Sequence, residues 1–367
     1  LGIRFLKTET QGPLFEAMRA KLAGIATHEG MVGIFKLRGA DIYRVLEIEH
    51  LPGRELPPTE REQALLPALR RCCEHISRYE SLADLVDNLL DGLDRYLGVR
   101  HSMLLIAEPG ANKLYMLGSH GYSRSGIGAE IPIGVGVIGL AARECVPIRI
   151  MFAAAEYVYS SAVREQAIAD GLADGLEASI PAPGLPQPAS QLAVPILSNG
   201  MLLGVLYLES ERECQFDYDL EDALVLLCAQ VGESLRAIER DENLRHTRQA
   251  TTGDQPRLQG KPLQVKYHSR DHSIFLDEEY LIKGVAGAVL WRLLESYTGD
   301  GRSEFSTREL RLDGRLPLPE VSDNLDARLL LLSRRLQERS RDVSVNRCGR
   351  GRIQLALKRP VKLVRLD

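Results

Sequence analysis

The sequence predicts an α+β protein built from more than one domain. The chain has 367 residues, of which 44% are hydrophobic and 26% charged, as in ordinary globular proteins. Segments with helical spacing of apolar residues alternate with short strand-like runs, and a polar stretch at 250–262 divides the chain. Residues 261–367 carry 21 Lys or Arg against 15 Asp or Glu, whereas residues 1–260 carry 25 against 35. This asymmetry predicts that the C-terminal part meets a polyanion.

The first 61 residues predict a small α/β extension whose role the sequence does not indicate. A helix is predicted near Pro13–Ala23, and strands are predicted over Met31–Leu37 and Asp41–Ile48. The turn Arg38-Gly39-Ala40 joins these two strands. We therefore treat residues 1–61 as a separate unit.

Nothing in the sequence predicts a membrane or secreted protein. The longest apolar stretch, Ile131–Ala142, is interrupted by glycines and is shorter than the roughly 20 residues of a spanning helix. The N-terminal residues show no charged-then-apolar pattern, so no signal peptide is predicted. Its six cysteines form no CxxC motif and no Cys/His pair at zinc spacing, so no metal site is predicted. We expect a cytoplasmic protein with no membrane partner.

Residues 62–240 predict two helices, an antiparallel sheet and a closing helix. Apolar residues at helical spacing run from Leu65 to Leu97 and break at 79–81, which indicates two consecutive helices. Strand-like runs follow at 102–107, 114–119, 192–197 and 202–208, the last two joined by the strong turn Asn199-Gly200. From Leu220 to Ile238 the spacing predicts a helix that either packs on its own sheet or pairs with a second copy.

Two segments of this region resemble the most characteristic stretches of GAF domains. They are IPIGVGVIGLAARECVPIRI at 131–150 and the stretch 191–235, which begins QLAVPILSNG. The resemblance covers about residues 62–240. It implies an antiparallel sheet with helices behind it, a ligand pocket in front, and dimerisation through the flanking helices. The segment between the two motifs, Met151–Ser190, would form the roof of that pocket.

The resemblance implies a small-molecule effector bound in this pocket. An aromatic lining with a few polar groups suits a small planar or anionic ligand. The candidate effector-binding residues are His120, Tyr122, Arg124, Tyr157 and Tyr159. The sequence identifies neither the effector nor any cofactor.

The sequence departs from the ligand-binding patterns of some GAF domains, which argues against those ligands here. Members that bind cyclic nucleotides carry an Asn-Lys, Phe and Asp-Glu set. Here Asn112-Lys113 and Phe216 are present, but Asp217-Tyr218-Asp219 follows the phenylalanine. Members that bind bilins use a roof cysteine, which this roof lacks. His120 with Cys145 is too small a set to predict a haem or metal site.

Residues 265–358 resemble the winged helix-turn-helix domain that ends many bacterial response regulators. The predicted order is a hairpin, a helix containing the only tryptophan, a short helix, a third helix and two final strands. The predicted bounds are 265–276, 281–297, 306–312, 324–339, 343–346 and 353–357. In the third helix Leu325-Asp326, Leu329, Leu332 and Arg334-Arg335-Leu336 follow the family's recognition-helix pattern. The basic turn at 347–352 corresponds to the wing.

The winged-helix resemblance implies DNA as the partner of the C-terminal part. A helix fits the major groove, and an arginine-bearing hairpin reaches the flanking backbone or minor groove. Arg328 is expected to read bases, and the other arginines are expected to contact phosphates or the minor groove. These other residues are Arg334, Arg335, Arg339, Arg347, Arg350 and Arg352. The expectation requires that the basic groups lie on one accessible surface.

Two leucines depart from the winged-helix pattern. Leu330 and Leu331 stand where similar proteins carry polar or basic residues that face the groove. They either contact thymine methyl groups, which places Leu331 among the candidate DNA-binding residues, or form a protein-binding face.

Together the two resemblances predict a homodimeric one-component transcription regulator. Its parts are the extension 1–61, a GAF sensor at 62–240, a helix end and linker at 241–264, and a winged helix at 265–367. The alternatives are a signalling adaptor whose winged helix binds a protein, and a methionine sulfoxide reductase that would use Cys145 and Cys214. No GxxxxGK[ST], HExxH or GxSxG motif is present, so no enzyme is predicted.

Overall fold

The computed structural model describes residues 2–6, 32–36, 43–49, 60–108, 110–151, 180–244, 260–318, 325–349 and 351–366. Within these ranges the chain forms four sheets and seven helices. None of those helices is both long and apolar enough to cross a membrane.

A small antiparallel sheet lies near the start of the chain. Its strands are β1 (Gly2–Leu6), β2 (Val32–Lys36) and β3 (Tyr43–Glu49), in the order β1-β3-β2. The two predicted strands are confirmed as β2 and β3, whereas β1 was not predicted. The predicted helix at 13–23 lies outside the described residues.

Residues 60–244, which we call the six-stranded domain, begin with two helices. Helix α1 spans Glu60–Ile76 and helix α2 spans Leu82–Leu97, so the predicted break is confirmed. Ser81 caps α2 and forms a capping box with Asp84, and Gly98 ends the helix in the left-handed region at φ 67°.

The sheet of this domain is antiparallel throughout. Its order is β6-β5-β4-β9-β8-β7. The strands are β4 (His101–Ala107), β5 (Lys113–His120), β6 (Glu130–Pro132), β7 (Ile148–Ile150), β8 (Ser190–Ser198) and β9 (Met201–Ser210). Helix α3 (Gly136–Glu144) precedes β7, and helix α4 (Tyr218–Leu244) closes the domain. Asn199 and Gly200 turn β8 into β9 with φ values of 50° and 75°, which confirms the predicted hairpin.

The two faces of this sheet bury different clusters. Helices α1, α2 and α4 pack on one face, which we call the helix face, and α3 packs on the other, which we call the α3 face. Because side chains alternate along a strand, β5 serves both faces. Tyr115 and Leu117 belong to the helix face, whereas Leu114 and Met116 belong to the α3 face.

Residues 260–366, which we call the C-terminal domain, combine three helices with two sheets. The elements are β10 (Leu263–His268), β11 (Ser273–Leu276), β12 (Glu279–Ile282), α5 (Gly284–Asp300), β13 (Glu304–Ser306), α6 (Thr307–Leu312), α7 (Leu325–Arg339), β14 (Val343–Arg347), β15 (Arg352–Leu357) and β16 (Val361–Leu366). The sheet orders are β12-β11-β10-β16 and β13-β15-β14. The helices and the final hairpin lie where the sequence predicts them. Strands β12, β13 and β16 were not predicted.

Helix α7 joins the two domains. It packs against α5, β12 and β14 of its own domain and against α2 and β5 of the six-stranded domain. Leu332 and Leu336 are fully buried, and the apolar core that contains them continues into the helix face of the larger sheet. The two domains therefore share one core at α7.

Candidate functional site

A buried polar cluster lies on the α3 face of the larger sheet. Glu209 is only 6% exposed, and its carboxylate accepts hydrogen bonds from Tyr207 Oη at 2.9 Å, Tyr122 Oη at 3.2 Å and the Leu185 amide at 2.9 Å. His101 and Gln191 pair with Glu209 on the neighbouring strands. The side-chain oxygen of Gln191 is buried and has no hydrogen-bond partner among the residues that the structure describes.

Burial dominates the acid-base chemistry of this cluster. Desolvation raises the pKa of Glu209, although its three hydrogen bonds oppose the shift. Burial, followed by the adjacent Glu209, raises the pKa of Tyr122, so its hydroxyl remains a hydrogen-bond donor. The cluster thus consists of a costly buried carboxylate and the donors that stabilise it.

The raised pKa predicts a pH dependence of stability that substitution of Glu209 removes. The folded protein holds this proton more tightly than the unfolded chain, so the contribution of Glu209 is lost as pH rises from 4.5 through the folded-state pKa. We expect the free energy of unfolding of the wild type, minus that of Glu209→Gln, to fall over this window. Urea denaturation from about pH 4 to about pH 8 measures it. The exposed Glu211→Gln is the matched control, and a difference that rises with pH would contradict the prediction.

The predicted effector residues do not converge on this cluster. Tyr122 belongs to it, whereas His120 turns to the helix face and lies 3.1 Å from Asp94 on α2. Arg124 is exposed in the loop after β5. Tyr157 and Tyr159 lie outside the described residues, and no group of three or more metal-binding side chains occurs among the residues that are described.

The candidate DNA-binding helix is covered by the six-stranded domain. Arg328 is 7% exposed, lies 2.8 Å from Glu108, and stacks over the Tyr115 ring with 3.9 Å from its Cζ to the ring centroid. Arg334 lies 2.6 Å from Asp87. The expected accessible surface is therefore closed at these two arginines in this conformation.

The other arginines of α7 have different surroundings. Arg335 donates from Nε to the Leu281 carbonyl oxygen at 2.9 Å and is buried in its own domain, and burial lowers its pKa. Arg339, in the last turn, is exposed. Arg335 therefore holds α7 on β12, and Arg339 is accessible to a partner.

The leucines of α7 also lie inside the protein. Leu331 is buried and lies close to Gly128 of the six-stranded domain, and Leu330 packs partly buried against the same core. A surface of the same chain thus covers Leu331 in this conformation.

The β14–β15 hairpin carries an arginine that is engaged internally. Arg347 is hydrogen-bonded to Asp326, which is 2% exposed and also accepts from Arg311 at 3.1 Å. Arg352 is partly exposed at the start of β15, and Arg350 lies outside the described residues. Arg339 at the end of α7 is therefore an accessible basic group of this region.

Comparison with known proteins concerns the six-stranded domain. Residues 80–236 match the family model of the GAF domain. The chain contains a GAF domain. The matched residues begin just before α2 and end within α4, so α1 lies outside the match. None of the curated proteins compared with the chain matches it.

Several solved structures are similar to the GAF domain. A GAF domain from an Acinetobacter phosphoenolpyruvate-protein phosphotransferase has 19% identity, covers 49% of this chain and 96% of its own, and has a TM-score of 0.38. Free methionine-R-sulfoxide reductase from Neisseria meningitidis, solved with its substrate, has 16% identity, coverages of 52% and 99%, and a TM-score of 0.38. The nlh2 GAF domain of A. aeolicus in an inactive state has 16% identity, coverages of 48% and 99%, and a TM-score of 0.36.

The acidic partners in the GAF domain are not among the residues predicted from the sequence. Glu209 stands at the end of an otherwise apolar strand run, and a carboxylate at such a position is a detectable signal of a buried polar site. Asp87 and Glu108 carry no comparable signal, because acidic residues on a helix or at a strand end are ordinary surface residues. Only the packing of α7 reveals their role.

Proposed function

We propose that the chain is a transcription regulator that binds DNA through a winged helix at 265–367 under the control of its GAF domain. The observation that carries the proposal is that Arg328 and Arg334 each pair with an acidic residue of the GAF domain. Both side chains reach out of the C-terminal domain to bind oxygen atoms of another domain. Arginines placed in this way on a helix have the chemistry that phosphate and base recognition requires.

The element order supports the same proposal. Helix α6 and helix α7 are followed directly by the β14–β15 hairpin, whose turn carries the basic residues 347–352. A helix in the major groove with a hairpin at the flanking backbone would use α7 and this turn together. The positive surplus of residues 261–367 would contribute affinity that depends on salt.

The polar cluster on the α3 face supports control by a small molecule. Within the described part of the chain the Gln191 oxygen accepts no hydrogen bond, and Glu209 is the charged acceptor of the cluster. Buried acceptors of this kind favour an effector that donates hydrogen bonds. The identity of that effector and a cytoplasmic location remain predictions.

We also propose that the protein is a homodimer joined through α1 and α4. These helices pack against each other, and Leu66 on α1 and Val225 and Leu226 on α4 are exposed. Large apolar side chains on adjacent outward surfaces favour a second copy as their cover. A monomeric mass in sedimentation equilibrium would contradict the proposal.

The second candidate function is a signalling adaptor that binds a protein. It is favoured by the contact already present, since α7 places Leu331 and two arginines against a protein surface. In this case α7 would leave the GAF domain to bind another protein rather than DNA.

Substitution of Arg339 tests DNA binding. Arg339 is exposed, so we expect Arg339→Ala to weaken binding to duplex DNA without unfolding the chain. The slope of log affinity against log salt should fall by about 0.9 for a lost phosphate contact. Fluorescence anisotropy measures both quantities. Arg270→Ala, at an exposed position in the β10–β11 turn, is the matched control.

Two results of this titration separate the candidates. Equal affinity and equal salt slope for Arg339→Ala and the wild type would contradict a role of the α7 end in DNA binding. If DNA is not bound at low salt, either by the wild type or by a variant in which the contact between α7 and the GAF domain is weakened, the adaptor is favoured.

A further inference from the structure

Five charged side chains alternate in sign across the contact between the two domains. Arg328 and Lys283 belong to the C-terminal domain, and Glu108, Lys113 and Glu130 belong to the GAF domain. Lys113 lies 3.3 Å from Glu108 and 2.8 Å from Glu130, and Lys283 lies 3.4 Å from Glu130. Arg328 in turn pairs with Glu108. Arg328 and Lys283 of the C-terminal domain therefore each lie beside an acidic group of the GAF domain. The contact is therefore electrostatically complementary.

Burial makes the pairing of Arg328 important. Removing a guanidinium from water is unfavourable unless a counter-charge and hydrogen bonds replace the lost hydration. Glu108 supplies the counter-charge, and the Tyr115 ring supplies a cation-π contact. Burial raises the pKa of Tyr115 to about 12, so this ring is neutral at physiological pH. The GAF domain thus provides what Arg328 would otherwise take from water or from a phosphate.

The GAF domain also provides acceptors for Arg334. One terminal nitrogen of its guanidinium donates to Asp87 at 2.6 Å, and the other donates to the Leu117 carbonyl oxygen at 3.0 Å. Two oxygen atoms bound through separate nitrogens imitate the way in which a guanidinium binds a phosphate. These donors are not available to DNA while the contact holds.

The GAF surface is shaped to admit α7. A Cβ atom at Gly118 would stand 2.8 Å from the Arg334 guanidinium, and a Cβ atom at Gly128 would stand 3.6 Å from Leu331. Glycine at 118 lets the Arg334 side chain approach the GAF backbone closely, whereas the Leu331 side chain lies at an ordinary contact distance from Gly128. A hydrogen bond between Ser125 and Glu338 joins the same loop to the last turn of α7.

We propose that this GAF surface, formed by Asp87, Glu108, the Leu117 carbonyl, Gly118 and Gly128, is an internal substitute for DNA. It binds the arginines that DNA would bind, so the GAF domain and DNA exclude each other from α7. The proposal rests on the proposed DNA-binding function. Release of α7 is then the step that an effector must favour, and by linkage DNA must raise the affinity for the effector by the same factor by which the effector raises the affinity for DNA.

The experiment weakens the GAF side and leaves every residue of α7 intact. The double variant Asp87→Asn, Glu108→Gln removes the two counter-charges. We expect it to bind a mixed-sequence DNA duplex about tenfold more tightly than the wild type at the same low salt, a change within the usual range of coupling between sites. Fluorescence anisotropy measures affinity, and small-angle X-ray scattering of the full chain without DNA measures opening through the radius of gyration.

A matched variant controls for the change in charge. Glu74→Gln, Asp91→Asn also removes two negative charges from α1 and α2, but Glu74 pairs with Arg70, and Asp91 pairs with Arg95 and His75. We expect it to bind DNA as the wild type does. Asp87→Asn alone guards against misfolding, because the Asp87 side chain is 67% exposed and the substitution leaves the core untouched. It should show a smaller gain in the same direction.

The outcomes separate this proposal from the proposed function. Tighter DNA binding together with a larger radius of gyration in the Asp87 variants, but not in the control, supports both. Equal DNA affinity in all variants overturns the exclusion of DNA by the GAF domain and leaves the DNA-binding function in place. A larger radius of gyration with no DNA binding by any variant overturns the DNA-binding function, and the proposal with it.

Discussion

Asp326→Asn is expected to lower the free energy of unfolding of the C-terminal domain by about 3 kcal/mol. Asp326 lies in the first turn of α7 and is 2% exposed. Its carboxylate binds Arg311 of α6 and Arg347 at the end of β14. Loss of its charge leaves Arg311, which is 12% exposed, without this counter-charge in a nearly dry environment. Breaking a buried ion pair on one side is costly because the remaining charge cannot regain its hydration.

Trp291 makes the measurement specific to this domain. It is the only tryptophan of the chain, it is buried in α5, and it stacks on Tyr267 with ring centroids 4.7 Å apart. Its fluorescence during urea denaturation therefore reports unfolding of the C-terminal domain. Asp300→Asn, at the exposed end of α5, is the control and should change the midpoint little. If the two variants unfold at the same urea concentration, Asp326 does not stabilise the packing of the β14–β15 hairpin on α7.

Much of the fold could be predicted because local signals decide it. The Asn199-Gly200 turn adopts positive φ at both residues, which is the geometry that this dipeptide favours, and so β8 and β9 pair as expected. The left-handed residue Gly98 ends α2 where the apolar spacing ends. Strand β16 was missed because it pairs in parallel with β10 from the other end of the domain, a contact that local pattern does not report.

The placement of α7 shows where sequence reasoning stops. The spacing of Leu329, Leu332 and Leu336 predicts one buried side, and this side is found. Arg328 and Leu331 are buried as well, because a second domain covers them. An arginine is ordinarily an exposed residue, and the counter-charges Glu108 of Arg328 and Asp87 of Arg334 lie far earlier in the chain. The burial of these α7 side chains and their pairing with acidic residues therefore depend on contacts between residues far apart in the sequence, which local patterns do not report.

The structure connects the polar cluster to α7 through a short path. Tyr122 binds Glu209 in the cluster, and three residues later Ser125 binds Glu338 on α7. The same loop continues to Gly128 beside Leu331, and β5 carries Met116 toward the α3 face and Leu117 toward α7. An effector that competes with Tyr122 for Glu209 would move a loop that already holds α7. This continuity gives the proposed control a physical route, which the release experiment tests through its consequence.

Gly287→Ala is expected to destabilise the C-terminal domain by about 3 kcal/mol, at the upper end of overpacking costs. A Cβ atom at Gly287 on α5 would stand 2.0 Å from the carbonyl oxygen of His272, in the turn between β10 and β11. The obstacle is backbone, so no side-chain rotation relieves it. Either the turn or the helix must move, and this movement disturbs the packing of α5 on β11.

A second glycine of the same helix separates this clash from helix propensity. Gly299 has open space around it and no positive φ, so Gly299→Ala should stabilise the domain by about 0.5–1 kcal/mol through the lower backbone entropy of alanine in the unfolded chain. Opposite shifts of the urea midpoint, followed by Trp291 fluorescence, are the expected result. If Gly287→Ala also stabilises the domain, α5 does not lie against the β10–β11 turn as closely as this packing requires.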